Sequence, residues 1–293
     1  MLLVISMLIL LLIQAAVGFT PNLWANEHVS VFSKAPTYPA TSQINVDEIV
    51  LSKTNIQIGY SKRYKEPSWV AYSLNPEKLR ACFNRKDQFK PDPAISKPDS
   101  ATLNDYKNSG YDRGHLSPAA DNRWSNEAMK ESFQLSNISP QPPNFNQRIW
   151  ASLENLIRAW ALQSKDLWVV TGPELSRVEK TIGSSEVGVS SVFYKALIAF
   201  SNDANQKPKA IAFRLPISAI DGSSQSSPLS SYTLSIRELE RDSQIDFFEQ
   251  APAEFQESTE LQLDNSDWDF SAKFSALPCA TETPNLFEEL FSR

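Results

Sequence analysis

Histidine and cysteine are scarce in this chain of 293 residues, which carries two of each. Neither Cys82 nor Cys279 belongs to a Cys-x-x-Cys pair, so a structural zinc site has no thiolate pair to build on. The histidines are His28, near the start, and His115. That count excludes a Cys2His2 finger and a binuclear site built on histidines, and any imidazole base in the folded core has to be His115. Charge is also missing at the start, because no Asp, Glu, Lys or Arg precedes Glu27. This absence argues against an Arg-rich mitochondrial transit peptide. No internal repeat is evident.

What occupies the charge-free start is the apolar run "LLVISMLILLLI", residues 2 to 13, followed by "AAVGFT" with small residues at Ala16 and Gly18. A signal peptide over residues 1–18, cleaved after Gly18, is expected, giving a secreted or periplasmic protein without stable membrane association. The alternative is an uncleaved membrane anchor. Extended to Phe19 the run reaches 18 residues, at the short end of the ~20 that span a bilayer. For the two cysteines, two readings stay open: one long-range disulfide, or two buried thiols.

The formal net charge of −6 argues at first against a polyanionic partner. The distribution differs from the total. Lys53 to Pro118 holds 12 basic and 7 acidic residues, whereas Glu238 to Arg293 holds 3 basic and 14 acidic. A basic region sits in the first half and an acidic one at the end.

Residues 19–48, with Pro21, Pro36 and Pro39, form an N-terminal arm before a folded domain over 49–250, and 251–293 form an acidic C-terminal extension. "IVLSKTNIQIGYSKRYKEPSWVAYSL" predicts two or three antiparallel strands packed through Tyr60, Trp69 and Tyr72. A helix capped by Ser125 is predicted over 126–134. "FNQRIWASLENLIRAWALQ" places Phe145, Ile149, Leu153, Leu156, Ile157 and Trp160 at helical spacing, which predicts one long amphipathic helix. "LWVVTGP", "SVFYKALIAF" and "KAIAFRLP" predict strands. Strands and helices arrive in blocks, so the expected fold class is α+β, a mostly antiparallel central sheet flanked by helices.

The chemistry-bearing stretch is "YDRGHLSPAADNRW", residues 111 to 124. Gly114 permits a close backbone approach or an unusual φ, and the bland reading is a histidine bonded to a carbonyl beside an Asp112–Arg113 pair. Downstream the long helix offers Asn146, Glu154 and Arg158. On a straight helix the first two lie about 80° apart in direction and ~12 Å apart along the axis, so they do not easily ligate one ion together. Asn146 suits a hard cation, with Glu154 holding that ion's waters, and Arg158 either pairs with Glu154 or meets phosphate. A solvated face with an i, i+4 ion pair is the bland alternative.

"YDRGHLSPAADNRW", "FQLSNISPQPPNFNQRIWASLENLIR", "LWVVTGP" and "SVFYKALI" together resemble the DNA/RNA non-specific endonucleases, the ββα-metal (His-Me finger) nucleases, over roughly residues 50 to 250. The resemblance implies a metal-dependent endonuclease that hydrolyses the phosphodiester bonds of DNA and RNA. It implies His115 as general base, Asn146 as the sole protein ligand of Mg2+, with Mn2+ as the alternative ion, and Glu154 bonded to that ion's waters. Arg113, Arg158 and Arg85, in "NRKDQFKPDP", would contact the scissile phosphate, and Asn137 would help position the site. Asp112 is expected to orient its neighbours rather than react. Asn137-Ile138-Ser139 is formally a glycosylation sequon and is expected to stay unmodified. The resemblance also implies a homodimer. "ERDSQIDFFEQ" departs from the Thr-Gly that family members often carry before their C-terminal Phe-Phe, and 251–293 has no counterpart. Two other functions compete: a catalytically inactive nucleic-acid-binding homologue, and a phosphodiesterase or phosphatase of small molecules.

Overall fold

The computed structural model describes residues 35–37, 47–203, 205–219, 227–249, 251 and 253–279. The expected signal peptide, most of the expected arm with His28, and the end of the acidic extension lie outside the described residues.

The strands are β1 (Glu48–Ser52), β2 (Ile56–Ser61), β3 (Glu66–Leu74), β4 (Arg80–Ala81), β5 (Asp112–His115), β6 (Ile138–Gln141), β7 (Asp166–Pro173), β8 (Val178–Ile182), β9 (Val187–Ser190), β10 (Val192–Phe200), β11 (Lys209–Pro216), β12 (Thr233–Leu234) and β13 (Leu277–Pro278). The helices are α1 (Leu103–Tyr106), α2 (Asn126–Ser132), α3 (Ala151–Ala161), α4 (Ile236–Ser243) and α5 (Ala253–Ser258). Seven strands form one antiparallel sheet in the order β1-β2-β3-β7-β10-β11-β12. The fold is α+β.

The continuous apolar sequence of β10 follows from its place in the middle of that sheet, covered on both faces. Phe193 and Leu197 share a cluster with Trp150 and with Leu153, Ile157 and Trp160 of α3. Tyr194, Ala196 and Ile198 point the other way, into a second cluster with Ile236, Leu239, Phe247 and Phe255. The local signals agree with these packings. The Ser125 hydroxyl accepts a bond from the Ala128 amide at the start of α2, and Ser235 with Glu238 forms a capping box on α4.

The described residues beyond 250 pack on the body of the protein. Phe255 joins the second cluster and Trp268 the first. Trp268 and Phe270 meet the indole of Trp160 at 4.6 and 5.5 Å between ring centroids, and the Trp160 Nε1 donates to the Asp269 carbonyl at 2.9 Å. The segment ends at β13, which pairs in parallel with β4. There Cys279 is bonded to Cys82, 197 residues earlier in sequence, with Cα atoms 4.6 Å apart. Of the two readings of the cysteines, the structure selects the disulfide.

Closing so long a loop restricts the unfolded chain strongly. Replacing both cysteines by serine is therefore expected to cost about 2–5 kcal/mol in guanidinium unfolding. An unchanged midpoint would show that the strap holds without its staple.

Candidate active site

The stretch "DRGH" is β5, paired with β6 so that His115 faces Ile138 and Gly114 faces Ser139. Gly114 does not have a positive φ. A Cβ there would fall 2.1 Å from Gln141 Oε1 and 2.4 Å from its Cδ, so glycine serves close approach rather than unusual backbone geometry. Beneath the hairpin Glu66 of β3 is fully buried, accepting a 2.5 Å bond from the Ser139 hydroxyl.

The segment after His115 is knitted to the end of β6 by Asn137. Its Oδ1 accepts from the Ser117 amide at 3.0 Å, and its Nδ2 donates to the carbonyls of Ser117 at 2.9 Å and Ser132 at 2.8 Å. Both ends of the amide are used and the residue is buried, which leaves a sugar no access to the sequon. Asn137 holds the backbone behind His115 and does not line the cavity in front of it.

His115 itself is 9% exposed. Its ring lies 5.3 Å from that of Phe89 and 4.8 Å, edge-on, from that of Phe133. Each phenylalanine carries a guanidinium: Arg113 sits 4.3 Å over Phe89, and Arg85 sits 5.5 Å over Phe133. Burial first, then the positive charge of Arg85, holds the imidazole far below its usual range, at about 3, with Asp87 opposing and Arg113 adding to the effect. The ring is neutral at neutral pH, and its buried Nε2 has no partner among the described residues. No sequence spacing pointed to Phe89 or Phe133.

The predicted straight helix is a correction. Its first turn, Phe145–Trp150, is a wide π-helical turn, and regular α-helix begins only at Ala151. The wide turn advances fewer degrees per residue and so rewinds the phase between Asn146 and Glu154. Both therefore line one open cavity of about 420 Å3, together with Arg85, Phe89, Asp112 and Arg113. The Asn146 Nδ2 donates to Asp112 Oδ2 at 2.9 Å and the Gln147 Nε2 to the same oxygen at 2.8 Å. Asp112 thus fixes the amide, leaving the Asn146 oxygen as its remaining polar end. Burial raises the Glu154 carboxyl above its usual range, against the pull of Lys195 and Arg158.

Arg158 is a second correction. It does not pair with Glu154 and does not reach the cavity. Its Nη1 meets Asp121 Oδ1 at 2.7 Å, with side chains 5% and 2% exposed. Its Nη2 donates to Asn155 Oδ1 at 2.9 Å, and Phe274 of the C-terminal strap lies 5.3 Å from its guanidinium. Asp121, from the turn that follows "DRGH", takes up the guanidinium. Lys195, unforeseen from the sequence, is fully buried behind the site on β10. The one available signal was a lone charge in an otherwise apolar strand.

Among the described residues no three His, Cys, Asp or Glu side chains converge as a metal cage. The cavity lining instead carries three carboxylates, Asp87, Asp112 and Glu154, against two guanidiniums, Arg85 and Arg113. With the imidazole neutral, a phosphate could enter only with further positive charge. A hard cation that keeps most of its waters needs one or two protein oxygens, and the Asn146 amide oxygen beside Glu154 fits that requirement.

Comparison with known proteins gives the family. Residues 33–254 match the sequence model of the DNA/RNA non-specific endonucleases, and the chain belongs to that family, whose members are metal-dependent nucleases. Human mitochondrial endonuclease G is 33% identical over 207 residues, 67% of this chain and 68% of its own length. Mouse mitochondrial nuclease EXOG is 36% identical over 207 residues, 67% of this chain and 55% of EXOG. The chain spans a little over half the length of the EXOG relatives it matches. Nuclease C1 of Cunninghamella echinulata is 32% identical over 212 residues, 68% of this chain and 82% of its own length. A solved EndoG/EndoGI complex matches with a TM-score of 0.64 at 28% identity, covering 72% of this chain and 88% of that one.

Two stability effects follow from the buried charges. Burial raises the Glu66 carboxyl to about 8, so between pH 4.5 and 8 the folded chain keeps a proton that the unfolded chain releases, and this group makes stability fall as pH rises. Glu66→Gln is expected to remove up to about 4 kcal/mol of that decline between pH 5 and 8, at about 1.4 kcal/mol per unit, read by urea unfolding across pH; parallel curves for the two proteins would refute it. Asp121→Ala strands the Arg158 charge and is expected to cost about 3–5 kcal/mol, whereas an effect below 1 kcal/mol would mean that the guanidinium finds water.

Proposed function

We propose that the protein is a Mg2+-dependent endonuclease that hydrolyses the phosphodiester bonds of DNA and RNA without sequence selectivity. The observation that carries this reading is the His115 imidazole, its Nε2 unpartnered among the described residues, packed against Phe89, which lines a cavity with Asn146, Glu154, Arg85 and Arg113.

His115 Nε2 takes the proton from the water that attacks phosphorus, a task for which the neutral ring is ready without prior deprotonation. The Asn146 amide oxygen would hold the metal ion, and Asp112 keeps that amide turned toward it. Glu154 would bond to the waters of that ion. A bound Mg2+ supplies positive charge to the non-bridging oxygens and the leaving 3′ oxygen. Arg85 and Arg113, seated over the phenylalanine rings, contact the same phosphate and stabilise the charge that develops there. Arginine contacts to phosphate carry no base information, so weak sequence selectivity follows. Arg158 belongs to the frame of the site. The resident disulfide supports export to an oxidising compartment, the destination expected from residues 1–18.

A plasmid-nicking assay with Mg2+, with Mn2+ and with chelator tests the reading. His115→Ala is expected to lower cleavage by at least about 10²-fold, the usual contribution of a general base, while binding to a labelled duplex persists. Near wild-type nicking by that variant would refute the mechanism. Binding without cleavage by the wild-type protein would point to an inactive homologue, and turnover of small phosphodiesters alone would make it a small-molecule hydrolase.

A further inference from the structure

Strand β10 is buried along its whole length and apolar or aromatic except at Lys195. The two-residue period of a strand puts Lys195 on the face of Phe193 and Leu197, toward the helix that carries the site. Three partners receive its ammonium: the Leu116 carbonyl at 3.2 Å, Thr171 Oγ1 at 3.2 Å, and the face of the Trp150 indole at 4.4 Å. Two of these belong to His115's immediate surroundings. Leu116 is the next residue in the chain, and the Trp150 Nε1 donates, at a long 3.4 Å, to the His115 carbonyl.

We infer that Lys195 is the positioning residue for the His115 base, fastening its peptide from both sides, through the carbonyl that follows it and through the indole that holds its own carbonyl. The inference rests on the reading of His115 as general base. A buried ammonium is costly unless it is well partnered, and a methionine or leucine would fill the same strand position without that cost. Packing alone therefore gives no reason for a lysine here, whereas fixing the backbone on either side of a reacting imidazole does. Burial lowers the lysine below its ordinary range, and Glu154 and Asp121 oppose that, so the charge is sustained by the carboxylates that face it, with Arg158 acting the other way. Neither carboxylate bonds to it, and the geometry through Leu116 and Trp150 is independent of them.

The test is the full-length chain carrying Lys195→Met, which keeps the length of the side chain and removes its donors, beside Trp150→Phe, which keeps a ring and removes the indole N–H, and His115→Ala. Displacement of a reacting group by about 1 Å costs about 10²-fold in rate. Lys195→Met is therefore expected to lower kcat on a duplex by about that factor with KM unchanged, and Trp150→Phe to lower kcat by a smaller factor, again with KM unchanged. Imidazole nitrogen NMR gives a readout apart from activity, since the chain has only two histidines. The His115 signals are expected to move in Lys195→Met and the His28 signals to stay. A folded Lys195→Met with kcat within twofold of wild type and unmoved His115 signals overturns the inference, as does a loss confined to KM. Should Lys195→Met not fold, Trp150→Phe decides, and an unchanged kcat there overturns the inference. An active His115→Ala would instead sink the base itself, whereas an inactive His115→Ala beside a fully active Lys195→Met would sink only the role given to Lys195.

Discussion

Where the chain leaves β6, Pro142 and Pro143 contribute no backbone donors, and the helix that follows opens with hydrogen bonds spanning five residues over Phe145–Trp150 before it tightens at Ala151. The geometry of the site depends on that wide turn. It brings Asn146 and Gln147 onto the same oxygen of Asp112, and it still leaves Glu154, in the first regular turn after it, facing the same cavity. A helix regular from its first residue would separate the amide and the carboxylate by most of a quadrant. The same turn ends on Trp150, whose indole reaches back to the His115 carbonyl. Hairpin and helix are thus joined at both ends of the irregular turn.

The second constraint is the dry setting of the imidazole. Phe89 and Phe133 pack against the ring, and its burial makes the charged form costly, so the neutral imidazole dominates. The same rings seat Arg85 and Arg113 on their faces, where a guanidinium retains its charge and its outward donors. Aromatic residues therefore do two things at once, keeping the imidazole unprotonated and seating guanidiniums at the rim of the cavity.

Much of the scaffold was legible because its signals are local. The apolar runs of β7, β10 and β11, the alternation of β1 to β3 and the serine cap of α2 each lie within a few residues. Counting histidines singled out His115 without any structure. The features that stayed hidden are long-range. Phe89 and Phe133 reach His115 from segments 26 residues before and 18 after it, and no period marks them. Arg158 stands four residues after Glu154, the spacing of a helical ion pair, yet it turns to Asp121, because a buried aspartate from another segment outcompetes a neighbour on the same helix. Lys195 was visible as a lone charge in an apolar strand, but its partners Leu116 and Trp150 are 79 and 45 residues away. The phase of the long helix was misread for a different reason, since a π-helical turn leaves the heptad-like spacing of Phe145, Ile149 and Leu153 intact.

The acidic character of the chain bears on nucleic-acid binding only through where the acids lie. None of the residues lining the cavity comes from beyond Glu154, so the described part of the acidic extension, 253–279, does not cover it. That part is engaged elsewhere: Glu260 holds Arg237, Glu254 holds Lys207, and Trp268 lies under Lys209. Whole-chain charge therefore says little about the cavity, whose local balance is set by its own three carboxylates and two guanidiniums. Those carboxylates would repel a phosphodiester if they stood alone. With the Asn146 amide, a neutral oxygen donor, in the same lining, the cavity suits a hydrated hard cation better than a bare anion.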